Sequence, residues 1–92
     1  MDRDLERQTG GLTLLEERIA DGKRYVLLEL TFRLAALRMI YAEDEEEAAC
    51  EFLAELSREE AAALLDRIAE GGLAPYQLSD VAADAKEILA GV

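Results

Sequence analysis

From Arg24 to Ala42 the chain reads RYVLLELTFRLAALRMIYA, apolar at most positions and broken only by single polar residues. Wound at 100° per residue, this stretch presents two apolar faces. Tyr25, Leu28, Phe32, Ala35 and Met39 form one face; Leu27, Leu30, Leu34, Leu37 and Tyr41 form the other. Glu29 with Arg33 and Thr31 with Arg38 draw two narrow polar lines between them. Glu29 and Arg33 stand at i,i+4 in the favourable order. A surface helix needs one apolar stripe, and a helix with two is sandwiched between layers. The pattern therefore predicts a central helix over residues 24–42, about 28 Å long, with a cover on each side.

Residues 12–21, LTLLEERIAD, carry two competing signals. Leu12, Leu15 and Ile19 have helical spacing, with Gly22 placed as a C-terminal cap. Asp21-Gly22 is also a hairpin turn signal between two Leu-rich runs. Pairing across a two-residue turn sets Leu27 opposite Glu16 and Leu14 opposite Glu29. Neither face of that hairpin is clean, and register needs a clean face. The mismatch favours helix, with a β-hairpin over 13–30 as the alternative.

After Ala42 the pattern repeats in shorter segments. Asp44 and Glu47 have capping-box spacing. They open an expected helix with Ala49, Phe52, Leu53 and Leu56 inside and Asp44, Glu47, Glu51 and Glu55 outside. Ser57 with Glu60 is a second capping box. It predicts a helix with Ala61, Leu64, Leu65 and Ile68 on its core face, closed by Gly71-Gly72. After Pro75, Ser79 is placed to cap a last helix bearing Val81, Ala82, Ala85, Ile88 and Leu89. The expected fold class is all-α: a bundle of four to five helices around helix 24–42. The alternative is the 13–30 hairpin packed on three helices. Residues 1–11, ending in Gly10-Gly11, read as a flexible arm, and 12–92 as one domain.

Composition supports helix and order. Pro75 is the only proline, and 51% hydrophobic content is too high for a disordered chain. The net charge of −11 changes the picture more. Residues 1–42 balance seven acids against seven bases, so the whole excess lies after Ala42. Such a surface argues against nucleic acid as a direct ligand and against anionic membranes. Glu29, Arg33 and Arg38 also argue against a membrane span at 24–42. Cys50 is the single cysteine, and the N-terminal residues lack the apolar core of a secretory signal. Both point to a reducing, cytoplasmic setting.

Catalytic chemistry lacks its parts. With no histidine in the chain, nothing activates Cys50, Ser57 or Ser79 as a nucleophile. Cys50 reads as a small buried hydrophobe. The run Glu43–Glu47 has neither the alternating oxygen ligands nor the glycine of a calcium loop. A helix-turn-helix reading of residues 57–90 fails because the second helix offers Lys86 against Asp80, Asp84 and Glu87. No cofactor, metal or catalytic residue is expected.

What is left is binding. The sequence predicts a non-enzymatic acidic adaptor, assembly chaperone or regulator. Leu27, Leu30, Leu34, Leu37 and Tyr41 would self-associate into a homodimer. Asp44, Glu47, Glu51 and Glu55 would meet a protein partner with a basic patch. Two alternatives stand beside it: an acidic nucleic-acid mimic that inhibits a nucleic-acid-binding enzyme, and a small non-catalytic subunit of an enzyme complex.

Overall fold

The computed structural model describes residues 11–33, 35–53 and 56–90. It overturns the all-α expectation, helical bundle included. Four strands, β1 (Leu12–Ala20), β2 (Lys23–Phe32), β3 (Ala35–Glu43) and β4 (Ala48–Phe52), form an antiparallel sheet in the order β1-β2-β3-β4. Helix α1 (Arg58–Gly71), a 3-10 turn (Pro75–Gln77) and two short helices, α2 (Leu78–Ala83) and α3 (Ala85–Ala90), complete the chain order. The hairpin alternative also falls short, because two further strands extend the hairpin into a sheet.

The expected central helix 24–42 is β2, a reversal and β3. Phe32 pairs with Ala35, and Arg33 turns the chain at φ 58°. No Gly, Pro, Asn or Asp marks that turn, so its usual sequence signal is missing. Along each strand the side chains alternate between faces. Tyr25 and Leu27 point one way, Val26, Leu28 and Leu30 the other. Because both faces are apolar, the run has no polar alternation, as in strands buried on two sides. The same residues wound as a helix show two stripes, which is why the run reads as helical.

The β1–β2 hairpin turns at Asp21 (φ 53°) and Gly22 (φ 74°), both in the left-handed region that a two-residue turn requires. Glu16 does face Leu27. A register shift between Leu14 and Glu16 then places Leu14 opposite Leu28 and Thr13 opposite Glu29. Leu15 is the extra residue of this bulge, and it packs against the core. One inserted residue therefore converts the mismatched hairpin into one with Leu12 and Leu14 on the face of Leu28 and Leu30. The Gly11 carbonyl accepts from the Thr31 amide at 2.9 Å, which holds Gly11 to the sheet; residues 1–10 of the expected arm lie outside the described residues.

The expected helix after Asp44 is a turn and β4. Asp44 Oδ1 accepts from the Glu46 and Glu47 amides at 2.8 and 2.9 Å, and the Asp44 amide donates to the Glu47 carbonyl. An aspartate takes up the i+2 and i+3 amides alike at a helix start and in a β-turn. The next segment decides between them: Ala48–Phe52 pairs with β3 instead of coiling.

Helix α1 has the expected capping box. Ser57 Oγ accepts from the Glu60 amide at 3.1 Å, and Glu60 Oε1 accepts from the Ser57 amide at 2.9 Å. Its buried residues are Ala61, Leu64, Leu65 and Ile68, and Gly72 (φ 62°) caps its end. The last expected helix is broken at Asp84 into α2 and α3. Ser79 lies inside α2 and not at its cap; the Gln77 side chain accepts from the Ala74 amide just upstream.

These helices cover one face of the sheet. Tyr25, Leu27, Ile40 and Ala42 meet Leu64, Leu65, Ile68 and Leu78 in a core that is almost wholly buried. The Tyr25 hydroxyl donates to the Leu73 carbonyl at 2.7 Å, and Arg18 Nε donates to Asp66 at 2.9 Å. Both tie the sheet to α1 and to the loop after it. Toward the β2–β3 reversal the cover gives out. There Thr31 and Ala36 are exposed, and the cross-strand pair Glu29–Arg38 takes the place of core at 3.3 Å. No helix among the described residues is long and apolar enough to cross a membrane.

Candidate interaction surface

The pairing registers also define the face that no helix among the described residues covers. Residues directly opposite in an antiparallel sheet point the same way. One row across the strands is therefore Leu12, Leu30 and Leu37. The next is Leu14, Leu28, Met39 and Phe52. The third is Glu17, Val26, Tyr41 and Cys50, and the fourth Ile19, Arg24, Glu43 and Ala48. Two rows are wholly apolar, and charge enters only toward the β1–β2 turn.

Exposure marks the same surface. Among the described residues the large apolar side chains left exposed are Leu12, Leu14, Ile19, Leu37, Phe52 and Tyr76. All but Tyr76 lie on this one face. Phe52 is 57% exposed and Ile19 73%. Scattered exposed leucines need no explanation; a contiguous sheet face of them does.

The polar end of the face is satisfied from within. Arg24 pairs with Glu17, and the Tyr41 hydroxyl donates to Glu43. That bond to a carboxylate, with some burial, raises the Tyr41 phenol above its ordinary value. Cys50 is exposed beside Tyr41, which corrects the buried placement read from sequence. Partial burial and then the Glu51 charge push its thiol up, away from the thiolate that reactive cysteines need.

The residues proposed for self-association are divided. Leu30, Leu37 and Tyr41 stand on the open face. Leu27 points the other way and is fully buried beneath the helices. Leu34 lies outside the described residues. Sequence reasoning missed Leu12, Leu14, Leu28, Met39 and Phe52 as members of the open face. No alternation of polar and apolar residues marks Leu28, because β2 is apolar on both faces around it.

The acidic set is also dispersed. Asp44 and Glu47 belong to the β3–β4 turn. Glu51 pairs opposite Ile40, on the helix-covered side. Glu55 lies outside the described residues. No helix among the described residues aligns Asp44, Glu47 and Glu51 into a stripe. The described residues contain no cluster of three or more side chains that could hold a metal ion.

Two carboxylates of the fold carry a pH dependence. The Glu46 and Glu47 amides hold Asp44 below its ordinary value, and the Ser57 amide does the same for Glu60. A depressed carboxylate stabilises the fold above its unfolded pKa, near 4, and that contribution is lost as pH falls through the folded value. Asp44→Ala should therefore be less stable than the parent at pH 7, with the difference shrinking below about pH 4. Urea denaturation of both proteins at pH 7 and pH 3 measures this; an equal difference at the two pH values would refute the assigned role of Asp44.

Comparison with protein-family models, curated proteins and solved structures finds no match to this chain.

Proposed function

We propose that this chain is a non-enzymatic protein-binding module whose working surface is the open face of its sheet. The observation that carries this reading is the pair of apolar rows running across three and four strands, with no helix among the described residues over them. A two-layer domain buries each apolar face against another element. Here one face has its partner within the chain, and the other needs one from outside. The acidic surface supports the same role at a distance: it keeps a protein with an open apolar face dissolved. A single free cysteine fits a reducing compartment, and we assign the module to the cytoplasm.

Gel filtration of a soluble extract from the producing cells tests this. The parent chain is expected to elute in an assembly larger than its own 10.2 kDa. A Leu37→Glu/Phe52→Glu variant should elute at monomer size, because a charge cannot be buried unpaired in such a contact. A parent that runs as a monomer in the extract would overturn the proposal. Assemblies that dissolve on adding duplex DNA would favour the nucleic-acid mimic instead.

A further inference from the structure

We infer that the occupant of the open face is a second copy of this chain, packed sheet against sheet about a two-fold axis, with the acidic turn ends pointing apart. This rests on the reading of that face as an interaction surface and names its partner.

Size is the first support. Three strands of nine or ten residues and a fourth of five, ~4.8 Å apart, cover roughly 500 Å² in projection. Side-chain relief raises the accessible area toward the ~600–1,000 Å² per partner of a stable complex. A two-fold contact uses one surface twice, so the chain needs no other apolar patch.

Charge is the second. The four rows carry Glu17, Arg24 and Glu43 as their only charges, a net of −1 out of −11. Most of the excess lies in the Asp44–Glu47 turn and in residues 58–90, where Arg58, Arg67 and Lys86 stand against seven acids. Stacking face to face leaves both acidic helical layers outermost, with two sheets between them. Asp21 and Asp44–Glu46 gather at one end of the strands. Antiparallel stacking sends the two acidic ends to opposite extremes and overlaps the uncharged rows.

Edge pairing is the competing route to a dimer, and both edges resist it. β1 is bulged at Leu15 and carries Glu16, Glu17 and Arg18, while β4 has only five residues.

Sedimentation equilibrium of the purified 92-residue chain tests this. A species of twice 10.2 kDa is expected at micromolar concentration. Phe52→Glu, at a position already exposed in the protomer, should weaken the dimer roughly 100-fold or more with an unchanged far-UV spectrum. Tyr76→Glu, 69% exposed but in the 3-10 turn, should leave the dimer intact. Added salt should alter dimerisation little, because the acidic ends lie apart. A strong tightening by salt would overturn the antiparallel arrangement, and a dimer that survives Phe52→Glu would place the contact elsewhere. A purified monomer would overturn self-pairing. If the extract then still showed a larger assembly, the interaction surface would stand and its occupant would be a different protein.

Discussion

Leu27→Ala is expected to destabilise the protein by about 2–5 kcal/mol, while its neighbour Leu28→Ala acts mainly on association. The contrast comes from alternation. Leu27 is fully buried between the sheet and the helical layer, so truncation leaves a cavity lined by side chains held from both layers. Leu28, one residue on, faces the open side and is half-buried in the protomer. Its loss should show as a concentration-dependent shift in assembly more than as a drop in the unfolding free energy. Against a total stability of order 5–15 kcal/mol, the Leu27 change is large. Urea unfolding at low and high protein concentration separates the two effects. If the two truncations gave the same concentration dependence, the assignment of opposite faces would be wrong.

A chain ending at Leu53 is expected not to remain soluble. It keeps all four strands but loses α1 and the helices after it. Tyr25, Leu27, Ile40 and Ala42, all wholly buried in the full chain, would then be exposed beside the already open rows. A sheet apolar on both faces has no solvated side and stacks on its own kind. The measurable outcome is near-complete partition into the pellet after expression and high-speed centrifugation. A soluble monomeric sheet from this fragment would show that α1 is not the cover on which the fold depends.

The capping boxes illustrate how far local chemistry reaches. Ser57 and Glu60 announce a helix, and the helix forms with the buried set that its spacing predicts. Asp44 and Glu47 show the same spacing and form a turn. The hydrogen bonds of Asp44 are nearly those expected; the difference is that Ala48–Phe52 finds an unpaired edge on β3. Local hydrogen bonding cannot report whether such an edge exists elsewhere in the chain.

Segment 24–42 shows the limit more sharply. Its unusual content, apolar on two sides and in need of two covers, was legible in the sequence, as were the Asp21-Gly22 turn signal, the capping of α1 and the concentration of charge after Ala42. Whether those two sides belong to a helix or to two strands was not. Leu, Ala and Met serve both, and the reversal at Arg33 uses no residue that marks turns. The bulge at Leu15 was equally silent, yet it alone brings Leu12 and Leu14 onto the face of Leu28 and Leu30. By itself the sequence determined how much apolar surface this chain has to bury and which segments carry its charge. The tertiary structure decided which residues share a face, because strand register is set by pairing between distant segments, and a shift of one residue exchanges the two faces.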